Sequence, residues 1–197
     1  MQCILCKKKD CLQGRNCSLI KSELEYSEKE KKELLISALF QAESEKKRKL
    51  EEIVIYAKKM GYTKIGIAFA IEYEKEARLV YNILSRYFEI YSVCCKVCGF
   101  GKEDFGIPKK EASEFEAACN PKGQARLLNE DGAELNLMLG LDTINEILFS
   151  ENSAAPALHL PEEELRFLNT ERTGSKEPNR PRKPQPFKKE RKVREWV

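Results

Sequence analysis

The sequence predicts an α/β fold in which helices cover a small, mostly parallel sheet of about four strands. The first observation is TKIGIAFAI at residues 63–71, which is nearly continuous in apolar residues, as a central parallel strand should be. The second is that an amphipathic stretch at 72–87 leads directly into a strand-like run at 89–93. These segments form a βαβ unit, so we expect a three-layer, Rossmann-like domain.

Two helices are expected before the first strand. Ser27-Glu28-Lys29-Glu30 has the capping-box pattern that starts a helix. A second helix is expected over about residues 46–60, with Gly61 as its stop. Its inward face consists of apolar residues at helical spacing: Leu50, Ile53, Val54 and Ala57.

The second half of the domain continues the alternation of helix and strand. Pro121 suits the first turn of a helix running to about residue 129, with Asn120 as its N-cap. A third strand is expected at 135–141, followed by a short helix that begins at Asp142-Thr143. Residues 155–160 are expected to add a fourth strand.

Composition divides the chain into a Cys-rich segment at 1–20, the α/β domain at 21–169 and a basic tail at 170–197. From Thr170 onward ten Lys and Arg residues oppose four Glu, and four of the eight prolines of the chain occur there. Charge and proline without a periodic apolar face predict a disordered tail.

The N-terminal segment carries four cysteines in the spacing C-x2-C-x4-C-x5-C: Cys3, Cys6, Cys11 and Cys17. This segment is rich in Lys and poor in apolar residues, so it cannot bury a core, and a bound metal is the natural reason for it to be ordered. Four thiolates suit either zinc or an Fe–S cluster. Zinc modules more often divide their ligands into two distant pairs, so the compact run slightly favours an Fe–S cluster.

A second cysteine group is expected at the carboxyl edge of the sheet, where ligands of such folds bind. Its members are Cys94, Cys95, Cys98 and Cys119. Cys94 and Cys95 point to opposite faces if the strand continues through them, so only one would face the crevice. Cys119 precedes a helix N-terminus, where the helix dipole favours a thiolate; the alternative is a buried, apolar thiol. The group is interpreted as a second metal site or a redox-active set of thiols.

Several function classes lack their signatures. The chain has one histidine, His159, and no P-loop, and Gly99-Phe100-Gly101 lacks the third glycine of a dinucleotide-binding fingerprint. Neither a signal peptide nor an apolar run long enough to cross a membrane is present. We therefore expect a cytoplasmic protein without a membrane partner, whose cysteines serve metal or redox chemistry rather than structural disulfides.

The order of these features resembles a family of uncharacterised, predicted metal-binding proteins found mainly in archaea and anaerobic bacteria. The similarity spans about residues 1–158, and its most specific part is the pattern CNP-x-x-Q-A at residues 119–125. Other matching stretches are the N-terminal cysteine run, EEIVIYAKKMGYTKIGIAFA (51–70), VCCKVCG (93–99) and ACNPKGQARLLNEDGAELNLMLGL (118–141). The resemblance implies metal binding on an α/β scaffold, and we expect Asn120, Gln124 and Asp142 to support the second site.

The chain departs from this family pattern at two strand ends. Ala70 stands where relatives are expected to carry a further cysteine. Asp142-Thr143-Ile144-Asn145 stands where relatives tend to continue with a Cys and a Gly-His-Asp-like segment. The second site therefore has fewer thiols here, and either it binds metal with fewer cysteines or its activity has been lost or altered.

Two functional hypotheses follow. In the first, the chain is a metal-binding protein with an Fe–S cluster or zinc, and its cysteine-lined site is redox-active or part of a metal-dependent enzyme with an electron-transfer or protein partner. In the second, it is a non-enzymatic binding module with a structural zinc knuckle, and the basic tail recruits a protein or RNA. The sequence does not decide between catalysis and binding.

Overall fold

The computed structural model describes residues 2–17, 26–42, 48–111 and 113–173, with side chains described as far as residue 168. The chain divides into two compact units, Met1–Lys47 and Arg48–Val197. Most of the predicted basic tail, residues 174–197, lies outside the described residues. Among the residues that are described, no helix has both the length and the apolar character needed to cross a membrane.

The N-terminal unit contains two short 3₁₀ turns, Cys3–Leu5 and Asp10–Gln13, and one helix, α1 (Glu28–Ala42). The predicted capping box starts this helix. Glu30 Oε2 accepts a hydrogen bond from Ser27 N at 2.7 Å, and Ser27 Oγ accepts one from Glu30 N at 3.3 Å. The two contacts satisfy backbone and side-chain groups at the helix N-terminus reciprocally.

The second unit is built on a parallel sheet of four strands in the order β2-β1-β3-β4. The strands are β1 (Lys64–Phe69), β2 (Glu89–Cys94), β3 (Leu135–Leu139) and β4 (Ala157–His159). All three strand pairs are parallel, and Phe69 at the end of β1 pairs with Cys94 on one side and Leu139 on the other. The predicted α/β class and the small parallel sheet are confirmed.

Five helices accompany the sheet: α2 (Lys49–Met60), α3 (Glu74–Leu84), α4 (Pro121–Glu130), α5 (Thr143–Asn152) and α6 (Glu162–Thr173). The α3 helix begins two residues later than predicted because a 3₁₀ turn, Ile71–Tyr73, precedes it. The α6 helix was not predicted, and it extends past the expected start of the tail at Thr170.

Helices cover both faces of the sheet, which gives the predicted three layers. On one face, α2, α3 and α6 pack against Ile65 and Ile67 of β1 and the leucines of β3. On the other face, α4 and α5 pack against Ala68 and Met138, with Phe149 fully buried between them and the sheet. Alternation of side chains along each strand sends these residues to opposite faces.

Candidate thiol site

The centre of the sheet's carboxyl edge is occupied by an aromatic side chain of the protein itself. The strand order reverses direction between β1 and β3, the position where ligands of open α/β sheets bind. Here the Tyr73 ring lies so close to Gly140 that a Cβ atom at that glycine would be 2.1 Å from Tyr73 Cδ2. The Tyr73 hydroxyl donates to Glu162 Oε1 at 2.9 Å, and this hydrogen bond is the main cause of the raised pKa of Tyr73.

The cysteines lie at the neighbouring strand end, where β2 forms the edge of the sheet. The parallel ladder continues one residue beyond β2, because Cys95 N donates to Phe69 O at 2.8 Å. Cys95 is only 2% exposed and packs in the core between the sheet and α4. Since successive strand residues face opposite ways, Cys94 lies on the other face, and only one of the two adjacent thiols faces α4.

The loop between β2 and α4, residues 95–120, folds back so that its two ends lie side by side. Gly101 and Ala117 form an antiparallel bridge, and Ala118 N donates to Phe100 O at 2.8 Å. Asn120 N then donates to Cys95 O at 2.7 Å. These backbone contacts bring Cys119 next to Cys95, although the two cysteines are far apart in sequence.

Glu116 holds this loop together from within. Its Oε2 accepts a hydrogen bond from Lys102 Nζ at 2.5 Å, and its Oε1 accepts hydrogen bonds from the backbone N–H groups of Lys110 and Glu111. The Lys102 hydrogen bond, assisted by the two backbone donors, lowers the pKa of Glu116 to about 2. The three hydrogen bonds to the Glu116 carboxylate connect separate parts of the loop and favour its charged form.

Cys119 is exposed, and a lysine reaches its sulfur. Lys96 Nζ donates to Cys119 Sγ at 3.3 Å and to Ala117 O at 3.1 Å. Partial burial would by itself lower the pKa of Lys96, but the hydrogen bond to Cys119 and the electrostatic interactions with neighbouring groups raise it overall. Lys96 therefore stays cationic beside the sulfur at neutral pH.

Cys95 forms the buried half of a pair with Cys119. Burial is the largest cause of a pKa of about 11 for Cys95; a backbone hydrogen bond from Ile71 opposes the shift, and the proximity of Cys119 adds to it. Cys95 is therefore a protonated thiol at neutral pH. The site combines one buried thiol, one exposed sulfur and one ammonium group.

Two of the expected supporting residues lie at this edge. Asn120 caps α4 by accepting a hydrogen bond from Gly123 N at 2.9 Å, and its Nδ2 donates to Val97 O at 3.3 Å. Gln124 is fully buried, and its Nε2 donates to Phe69 O at 3.2 Å and to Val93 O at 2.8 Å. The Gln124 side chain thus connects α4 to the ends of β1 and β2.

The other candidate residues are not brought into this pair. Cys98 is exposed on a 3₁₀ turn with a left-handed backbone (φ 69°). Asp142 is the N-cap of α5, accepting hydrogen bonds from Ile144 N at 3.1 Å and Asn145 N at 3.0 Å. Cys3, Cys6, Cys11 and Cys17 are exposed in the N-terminal unit. Within the described residues, no three or more Cys, His, Asp or Glu side chains are gathered as ligands of one metal ion.

Comparison with known proteins places the chain among proteins without an assigned activity. A family model described as a protein of unknown function, DUF1847, matches residues 11–160. The chain belongs to this family. It is also similar to the uncharacterized protein MJ0455 of Methanocaldococcus jannaschii, with 46% identity over 161 residues that cover 79% of this chain and 83% of that protein. No solved structure matches the chain.

The match to the DUF1847 family includes both Cys95 and Cys119 but begins after Cys3 and Cys6. It supports the sequence resemblance to an uncharacterised family with an archaeal relative, whereas metal binding remains a proposal. Sequence reasoning did not single out Lys96, which contacts Cys119 Sγ in this DUF1847 protein. The available signal was a basic residue directly after two adjacent cysteines at a predicted strand end, a position where a cation can reach a thiolate.

Proposed function

We propose that this protein acts through thiol chemistry at the carboxyl edge of its sheet, with Cys119 as the reactive group. The observation that carries the proposal is the 3.3 Å hydrogen bond from Lys96 Nζ to the exposed Cys119 Sγ. The thiolate, rather than the thiol, is the nucleophile and the metal ligand, and reactive cysteines occur beside cations in partly exposed positions. Cys119 is exposed and lies beside the Lys96 cation.

The cation is held in place as well as being close. Lys96 is itself part of the segment that contains Cys95, and its Nζ also donates to Ala117 O at 3.1 Å. A lysine side chain loses considerable rotamer freedom when it is fixed in this way, so a second acceptor that orients it supports the contact with sulfur. The charge therefore stays beside Cys119 without relying on a mobile surface side chain.

Alkylation of the native, full-length protein with iodoacetamide, mapped by mass spectrometry, tests the proposal. Cys119 should react faster than Cys98, which is exposed and lies in the same loop. The substitution Lys96→Met should slow alkylation of Cys119 by roughly threefold to tenfold, because one neighbouring positive charge is removed. The rate at Cys98 should stay unchanged, and Lys96→Arg, which keeps the charge, should retain much of the rate at Cys119.

Two results would contradict a reactive Cys119. One is labelling of Cys119 only after denaturation, which would make it an inert thiol. The other is an unchanged Cys119 rate in Lys96→Met, which would show that the ammonium does not act on the sulfur.

The N-terminal cysteines support a second candidate function, binding of a zinc ion or an Fe–S cluster. Cys3, Cys6, Cys11 and Cys17 are all exposed free thiols, and the two 3₁₀ turns, which contain Cys3 and Cys11, bury no side chain. We propose that the metal gathers these thiolates and supplies the order that a core would otherwise give. Metal analysis of anaerobically purified protein separates stoichiometric zinc from a coloured cluster, and protein free of both would rule the site out.

A further inference from the structure

We infer that Cys119 and Cys95 close reversibly into a disulfide, so that this site exchanges two electrons with a disulfide-bonded partner. The inference rests on the proposed reactivity of Cys119 and names its reaction and its substrate class. It assigns Cys119 as the attacking cysteine and Cys95 as the resolving cysteine.

The backbone holds the two cysteines as neighbours. Asn120 N, directly after Cys119, donates to Cys95 O at 2.7 Å, and Cys95 N donates to Phe69 O at 2.8 Å. The two side chains are also close enough for Cys119 to contribute to the raised pKa of Cys95. Because backbone hydrogen bonds fix both segments, the proposed S–S bond of about 2 Å would form by rotation of the side chains.

Unequal exposure sets the order of attack. Cys119 is exposed, whereas Cys95 is 2% exposed and covered by the packing between the sheet and α4. A disulfide in solution can therefore reach Cys119 Sγ but not Cys95 Sγ. Cys95 meets only a sulfur that is presented from inside the site, which is the sulfur of Cys119 once it carries a partner.

The reaction balances in two exchange steps. The Cys119 thiolate attacks one sulfur of the partner disulfide; a Cys119–partner disulfide forms, the partner's own S–S bond breaks, and its second sulfur leaves as a thiolate that takes up a proton. Cys95 then attacks Cys119 Sγ, which breaks the mixed disulfide, and its proton goes to the partner sulfur that leaves as the second thiol. Two electrons pass from the cysteine pair to the partner, one proton comes from Cys95 and one from the solvent, and the products are one internal disulfide and two partner thiols.

The two nearby cysteines are placed differently. Cys94 lies on the face of the strand opposite Cys95, because the strand ladder continues through both residues. Cys98 is exposed on the turn Val97–Gly99, outside the core in which Cys95 packs. Among Cys94, Cys95 and Cys98, Cys95 is the one whose backbone is hydrogen-bonded to the residue that follows Cys119, through Asn120 N and Cys95 O.

Treatment of the full-length protein with hydroxyethyl disulfide tests the inference. After remaining thiols are blocked, peptide mapping without reduction should show Cys95 linked to Cys119, with a mass two hydrogens below that of the reduced pair. In Cys95→Ala the hydroxyethyl adduct should remain on Cys119, with a lifetime about tenfold longer or more than in the wild-type protein, because no resolving thiol is present. Cys98→Ser is the matched control and should form the Cys95–Cys119 link at the wild-type rate.

Wild-type protein alone can overturn the inference, so the test does not depend on the folding of Cys95→Ala. An adduct that persists on Cys119 in the wild-type protein, or a link from Cys119 to Cys94 or Cys98, would refute Cys95 as the resolving cysteine while leaving Cys119 reactive. A Cys119 that takes neither the adduct nor iodoacetamide would instead remove the proposed function as well.

Discussion

Cys95 and Cys119 carry the same side chain but have different chemistry because of their surroundings. Burial, with a smaller contribution from Cys119, raises the pKa of Cys95 to about 11 and keeps it protonated. Cys119 is exposed, and its sulfur accepts a hydrogen bond from the Lys96 ammonium at 3.3 Å. Because of these surroundings, Cys119 is accessible to molecules in solution, whereas Cys95 is accessible only to groups within the proposed site.

Gly140 is a second residue whose role depends on one neighbour. Its φ is +67° and a Cβ atom would overlap the Tyr73 ring at 2.1 Å. Gly140→Ala should therefore lower the free energy of unfolding by about 1–3 kcal/mol through overpacking, in addition to about 1–2 kcal/mol for the left-handed backbone. Urea unfolding followed by circular dichroism measures the sum.

Gly106→Ala is the matched control, because Gly106 has a nearly equal φ of +65° and no atom within 4 Å of the added Cβ. It should show the backbone cost alone. The double variant Tyr73→Ala/Gly140→Ala should recover part of the overpacking cost. Equal losses in Gly140→Ala and Gly106→Ala would mean that the Tyr73 ring moves aside freely.

At the scale of elements, the loop between β2 and α4 depends on the charge of Glu116. Its pKa is about 2 in the folded protein against an ordinary value of 4.5, mainly because of the Lys102 hydrogen bond. A lowered pKa means that this contribution to stability is complete above about pH 4.5 and is lost as the pH falls toward 2. Glu116→Gln removes the carboxylate charge at every pH, so its loop should be destabilised at neutral pH as the wild-type loop is in acid. The backbone amides of residues 101–118 should therefore exchange faster.

Hydrogen exchange, corrected for its intrinsic pH dependence, measures this effect. Glu114→Gln removes a charge from the same loop at an exposed position and should exchange like the wild-type protein. If Glu116→Gln leaves the exchange of the loop unchanged at pH 7, the backbone pairing of Gly101 with Ala117 is sufficient to hold it.

The elements differ in how far sequence could predict them. The strand Lys64–Phe69 was predicted because nearly every residue in it is apolar. The α6 helix was missed because its first turn is Glu162-Glu163-Glu164, and among its side chains as far as residue 168 only that of Leu165 is fully buried, so this part lacks a broad apolar face. Pro161 followed by three acidic residues was the available helix-start signal. The return of the loop to the end of β2 depends on long-range pairs such as Lys102 with Glu116, which no local pattern specifies.

The candidate site shows the same division between local and long-range information. The position of the four cysteines at the carboxyl edge was predicted from the βαβ pattern. The backbone hydrogen bond from Asn120 N to Cys95 O brings Cys119 next to Cys95, and the same return of the loop places Cys119 Sγ within reach of Lys96 Nζ. Neither could be assigned before the path of the loop was known.

At the scale of the whole molecule, the division into two compact units predicts that metal chemistry and fold are separable. Cys6 lies in the unit Met1–Lys47, whereas the sheet and its helices lie in Arg48–Val197. Cys6→Ser should therefore lose one equivalent of zinc or of cluster iron while the far-UV circular dichroism signal largely survives. Cys98→Ser, in the other unit, should keep the N-terminal metal.

A global loss of helix signal in Cys6→Ser would show that the N-terminal segment is needed for the fold of the whole chain. Equal metal content in Cys6→Ser and the wild-type protein would place the metal elsewhere.

The Tyr73 ring has a consequence for the size of the molecules that the proposed reaction could involve. The ring occupies the position between the ends of β1 and β3, whereas the thiol pair lies at the end of β2, one of the two edge strands. A crevice admits only molecules small enough to enter it, whereas an exposed sulfur at the rim of a sheet can be approached by a surface as broad as that of another folded protein. The reaction proposed for Cys119 would therefore not require its partner to enter a crevice.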